Sequence, residues 1–92
     1  MKITNHTVEE LKDPTGILEG DRYEFELKVE VPEDDELFTE EGMYVKVIFV
    51  VDENGPRMAQ YQLIEENTNR ILDFALEEEE EVMILDYCQQ NL

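Results

Sequence analysis

The sequence predicts an α+β fold: a curved antiparallel meander sheet of about five strands, with a C-terminal helix packed across one face. Three observations predict it. In "YEFELKVEV", residues 23–31, Tyr23, Phe25, Leu27, Val29 and Val31 alternate with Glu24, Glu26, Lys28 and Glu30. That is the period of a strand with one buried and one wet face. Further strand-like stretches follow at short intervals, and short connections favour pairing in chain order. Near the end, Leu76, Met83, Ile84 and Tyr87 recur at helical spacing, with Cys88 beside them.

Taken in order, "KITNHTVEEL" is a weakly patterned first strand, which suits the edge of a sheet. "DPTG" follows, with Asp13, Pro14 and Gly16 where a type I turn wants them. After the strand 23–31, Pro32 stops pairing. Residues 32–42 form a loop whose acidic cluster, Glu33, Asp34, Asp35 and Glu36, stays solvated. Leu37 and Phe38 are expected to fold back as its anchor. "MYVKVIFVV", residues 43–51, is apolar on odd positions and partly so on even ones. Lys46 marks its less buried face, where Ile48 and Val50 still need cover, so this is a central strand with something packed on both sides.

"DENGPR" carries the Asn-Gly hairpin signal. With Asn54 and Gly55 at its centre, Pro56 would close the turn without an N–H to give back to Glu53. A longer loop or a distorted turn is therefore expected. The next strand, "RMAQYQLIE", sets Ala59, Tyr61 and Leu63 on one face and Gln60 and Gln62 on the other. "ENTN" turns the chain, and "RILDFAL" makes a short fifth strand.

"ALEEEEEVMIL" raises the question of whether five glutamates are a tail or a helix start. Carboxylates in a first turn face the positive end of the helix dipole, each contributing on the order of 0.3–1 kcal/mol, and Glu is a good helix former. The run is read as the start of a helix over 77–90. Glu80 then falls on the same stripe as Met83, Ile84 and Tyr87. It should lie beyond the sheet's edge, or pair with Arg70 or Arg57. Val82 to Leu85 sweep roughly 300° of the wheel, more than one sheet face covers. With Met83, Ile84 and Tyr87 inward, Val82 and Leu85 are left outward as a candidate partner contact.

Ninety-two residues suit one domain, residues 1–92, with the sheet in 1–76 and the helix in 77–90. Charge is the outlier: 25 acidic residues against seven basic give a formal net charge of −18. Such a chain repels nucleic-acid phosphates and anionic membrane surfaces. It favours a cationic protein partner and opposes strong self-association, so a monomer or weak homodimer is expected. Hydrophobic residues still make up 41% of the chain and fall in periodic runs, which argues for a folded domain rather than disorder. The one cysteine, the lack of an apolar N-terminal segment and a longest apolar run of only "VIFVV" suggest a cytoplasmic protein.

Candidates for chemistry are few. His6 is the single histidine and has no cysteine or second histidine near it to complete a ligand set, so it reads as a surface or edge residue. Cys88, late in the helix, reads as a buried, inert thiol. "DENG" lacks the glycine position and downstream Glu of an EF-hand loop, and Glu33 to Glu36 offer charge without a rigid ligand frame. No catalytic residue, metal site or cofactor is expected.

"DPTGILEGDRYEFELKVEV" and "LDFALEEEEE" resemble segments of an uncharacterised family of small acidic proteins from Firmicute bacteria, some of which carry a pullulanase label. A glycosidase needs a deep sugar cleft flanked by two positioned carboxylates, for which this chain has little mass. The resemblance implies no functional residues.

The reading is a non-catalytic acidic interaction or regulatory protein that binds a basic or apolar protein surface. Its contacts would come from Glu33, Asp34, Asp35, Glu36, Val82 and Leu85. The alternatives are an acidic protein that mimics DNA, and a small-ligand or metal-binding domain with a pocket between sheet and helix.

Overall fold

The computed structural model describes residues 1–12, 20–35 and 38–92. Its elements are β1 (Lys2–Leu11), β2 (Asp21–Glu30), β3 (Met43–Asp52), β4 (Gly55–Glu65), β5 (Ile71–Leu72) and α1 (Glu78–Gln90). The strands form one antiparallel sheet in the order β1-β2-β3-β4-β5. This is the predicted meander with its C-terminal helix. The turn expected at Asp13–Gly16 lies outside the described residues, as do Glu36 and Leu37.

The core follows from the alternation in β2 and β3. Tyr23 faces Phe49, Phe25 faces Val47, Leu27 faces Val45 and Val29 faces Met43, all on one side of the sheet. Phe25, Leu27, Val45, Val47 and Phe49 are fully buried. Phe25 and Phe49 meet edge to face, with ring centroids 6.0 Å apart, the arrangement aromatic quadrupoles favour. Ile84 and Cys88 of α1 complete the cluster, and Leu76 closes it just before the helix. Each fully buried large side chain contributes roughly 1.5–3 kcal/mol. On the opposite face of β2, Glu26, Lys28 and Glu30 are exposed. There Lys46 bridges to Glu24 at 2.9 Å, and of the two residues expected to need cover, Val50 is buried and Ile48 half-buried.

The β3–β4 turn differs from expectation. Asp52 pairs with Gly55 and Val51 with Pro56, so only Glu53 and Asn54 join the strands. Gly55, at φ +99°, takes the fourth place in the turn, and Pro56 is already in the strand. Asp52 organises the turn: its Oδ1 accepts the Asn54 N–H at 2.9 Å, and its Oδ2 accepts from Arg57 at 2.6 Å. Moving the turn back by one residue removes the conflict that Pro56 posed. Beside it, just before β2, Gly20 has φ +82°, and a Cβ there would meet the Val51 carbonyl oxygen at 2.7 Å. Only glycine fits that approach.

A second difference lies in β4. The register slips after Ile48: Ile48 faces Gln60 but Phe49 faces Met58. Ala59 is the extra residue of a bulge and is exposed, so Met58 rather than Ala59 packs on the core beside Tyr61 and Leu63. "ENTN" does turn the chain, with Asn67 and Asn69 at positive φ, a conformation asparagine tolerates. The fifth strand is cut to Ile71–Leu72.

The glutamate run starts the helix. Glu77 is the N-cap, extended at φ −76° and ψ 158°. Its carbonyl accepts the Glu81 N–H at 3.0 Å, and its own N–H donates to Glu80 Oε1 at 3.0 Å. Glu80 therefore turns back on the helix end, as in a capping box. It does not pair with an arginine, because Arg57 engages Asp52 and Arg70 engages Glu65.

Candidate interaction groove

Where β1 begins, β2 ends and β3 begins, the sheet opens into a groove of about 550 Å³. Its lining includes Met1, Val29, Val31 and Met43, with Pro32, Phe38 and Thr39 from the loop and Lys2, Glu30 and Glu40 adding charge. The loop between β2 and β3 is shaped by consecutive turns. The Asp35 N–H donates to the Pro32 carbonyl and the Phe38 N–H to the Asp35 carbonyl, each at 3.0 Å. Thr39 Oγ1 donates to the Gly42 carbonyl at 3.0 Å, and that carbonyl also accepts the Glu66 N–H at 3.0 Å. The last bond ties the loop to the turn after β4.

These turns set the Phe38 side chain beside the groove, still 37% exposed. The anchor expected from Phe38 is thus partial. Val29 and Met43, which share the lining with it, are buried in the core. An exposed aromatic ring in a partly apolar groove, with carboxylates nearby, can accept an apolar side chain flanked by positive charge.

Of the sequence-predicted contact residues, Glu33 and Asp34 are exposed and Asp35 is half-buried. None of these three lines the groove, although Pro32 and Glu40 on either side of them do. On α1, Val82 is 55% exposed, as expected. Leu85 is not outward: it is half-buried against the core, together with Met83 and Tyr87. The helix turns a broader apolar face to the sheet than Met83, Ile84 and Tyr87 alone describe. Met1, Lys2 and Val31 were missed as groove residues. The available signal was the proline stop at 32 followed by a long loop with an apolar residue in it.

His6 stands on the edge strand, as expected, and is half-buried there. Its Nδ1 lies 2.7 Å from Tyr87 Oη, and its ring stands edge-on to that of Tyr87. Cys88 is fully buried, and burial pushes its thiol up to about 12. A thiol so shifted supplies no nucleophile at neutral pH. Among the described residues, no three His, Cys, Asp or Glu side chains come together as a metal-ligating group.

A family model described as a family of unknown function, DUF6509, matches residues 1–92. The chain belongs to the DUF6509 family. No curated protein and no solved structure matches it. What this DUF6509 chain can do is therefore read from its own surfaces. Among its described residues, no helix is long and apolar enough to cross a membrane. Charge on the outer sheet face is partly matched: the hydrogen bond and charge of Glu24 hold the Lys46 ammonium above the ordinary lysine range. Lys28 reaches Glu66 at only 3.9 Å. With 25 acidic residues and seven basic, carboxylates of this DUF6509 chain outnumber its basic side chains by more than three to one.

Proposed function

We propose that this DUF6509 protein is a non-catalytic, cytoplasmic interaction protein that takes a basic, partly apolar segment of another protein into the groove beside Phe38. The observation that carries the reading is the Phe38 ring, more than a third exposed in a groove whose lining it shares with Val29, Val31, Met43, Glu30 and Glu40. Aromatic anchors of this kind tend to dominate binding energy at protein interfaces. The charge of −18 draws cationic partners in and discourages copies of the chain from associating. The acidic residues Glu33, Asp34 and Asp35 lie next to the groove in sequence and add to the local field rather than forming its walls.

A labelled peptide with two leucines between lysine pairs serves as probe, read by fluorescence anisotropy at about 0.15 M salt, where the Debye length is near 8 Å. Phe38→Ser leaves the net charge unchanged and should weaken binding by about tenfold, or ~1.4 kcal/mol. Glu30→Gln with Glu40→Gln should weaken it as well and flatten its salt dependence. If Phe38→Ser binds the peptide like the parent, attraction is diffuse charge alone and the groove reading fails.

A further inference from the structure

β1 is ten residues long and stands at the end of the strand order, with β2 on one side and, among the described residues, no strand on the other. An edge of this length presents a row of backbone donors and acceptors that another chain can pair with. At its N-terminal part the edge is spoiled. Thr4 is bulged out of register between Ile3 and Asn5, and the His6 N–H is held by Asn5 Oδ1 at 2.9 Å. From Thr7 to Leu11 the register with β2 is regular and all five residues are exposed.

The side chains along that stretch divide by face. Thr7 and Glu9 stand opposite Glu26 and Glu24 on the outer face, and the four residues border a hollow of about 410 Å³ together with Val8. Val8 stands opposite Phe25 on the helix side and is 43% exposed. No described ion pair engages Glu9, Glu10 or Glu26. Carboxylates in such a place bar a second copy of β1, since Glu9 and Glu10 would meet their own kind. The same charges admit a strand of opposite sign, so the repulsive element and the attractive one coincide.

We infer that residues Thr7 to Leu11 accept an extended basic segment of a partner protein as a sixth strand. Its lysines or arginines at alternate positions meet Glu9 on β1 and reach across Thr7 toward Glu26 on β2, Glu24 being already paired with Lys46, and the small apolar residues between them cover Val8. Main-chain bonds supply the affinity and the two-residue period supplies the selectivity. This inference shares with the groove reading only the sign of the partner's charge; the surface is a different one.

The probe is a capped peptide of about eight residues, an ordinary strand's length, with lysine alternating with valine and threonine. Its control has the same composition with the lysines in one block. Amide exchange and chemical shifts are followed by NMR. The alternating peptide should slow exchange at every second amide between Thr7 and Leu11 by about tenfold at saturation. It should bind about tenfold more tightly than the block peptide. N-methylation along one edge of the peptide should abolish the effect, and Glu9→Gln with Glu26→Gln should weaken it. Phe38→Ser should leave it unchanged. Equal binding of the two peptides, or no added protection in β1, overturns the inference. Shifts centred on Phe38 and Met43 and removed by Phe38→Ser also overturn it, while leaving the groove reading intact. Protection in β1 alongside a groove peptide indifferent to Phe38→Ser supports the strand site and removes the groove.

Discussion

His6 on the edge strand and Tyr87 on the helix meet through Nδ1 and Oη at 2.7 Å, across 81 residues of chain. His6 stands opposite Leu27 in the β1–β2 ladder, so its ring reaches the helix side of the sheet, 6.2 Å from that of Phe25. The hydroxyl donates to an unprotonated Nδ1 or accepts from a protonated one. Either way, the pair pins the outermost strand to the C-terminal helix.

Tyr87→Phe keeps the ring packing and removes the partner. A net loss of about 0.5–1.5 kcal/mol in urea unfolding is expected, the usual worth of one hydrogen bond. In a double-mutant cycle, Tyr87→Phe and His6→Phe should be less than additive, because each alone already breaks the same contact. Strict additivity would show that the pair holds nothing together.

Helix phase gives the next contrast. Val82 is exposed while Leu85 packs on the core, although the two look alike in sequence. Val82→Glu should change stability by no more than about 0.5 kcal/mol, as for surface sites generally. Leu85→Glu should cost roughly 1–3 kcal/mol, because it puts a charge into a half-buried apolar contact. Equal effects of the two substitutions in thermal or urea melts would contradict this phase.

These residues also show what was legible in the sequence. The period-two run from Tyr23 to Val31 declared its inward face because alternation is a local property of a strand. Leu85 was misplaced because the width of a helix's buried face depends on the shape of the sheet beneath it. The bulge at Ala59 was hidden for a related reason: register is settled by the partner strand, and one extra residue exchanges Ala59 for Met58. The groove was least legible. It joins Met1, Val31, Phe38 and Met43, whose proximity depends on how two loop turns close.

The role of Glu80 can be separated from that of its neighbours. Glu80 accepts the Glu77 N–H, whereas Glu78 and Glu79 are exposed. Removing any one of these charges relieves the same crowding, so the difference between variants isolates the cap. Glu80→Ala should be less stable than Glu79→Ala by about 0.5–1 kcal/mol. Glu80→Gln, which keeps an acceptor oxygen, should recover most of that difference. If the two alanine variants melt together, the bond contributes nothing.

Alkaline pH should loosen the domain through Cys88. Burial raises the thiol from 9.0 to about 12, so the folded state holds its proton where the unfolded chain releases it. The resulting stability is complete below pH 9 and is lost as pH rises toward 12, at about 1.4 kcal/mol per pH unit. By pH 10 the loss should be roughly 1–1.5 kcal/mol. Tyr23 acts with the same sign, its phenol being raised by burial first and then by the Asp21 and Glu10 carboxylates. Urea midpoints measured between pH 8 and pH 10.5 should therefore fall, and Cys88→Ala should flatten the decline, leaving a remainder that Tyr23→Phe reduces. A thiol reagent at pH 8 gives an independent reading: labelling of Cys88 should proceed only at the rate at which the helix opens, since no part of the residue is exposed. Rapid labelling under native conditions, or a Cys88→Ala variant with an unchanged alkaline slope, would show that the thiol is not held in the core.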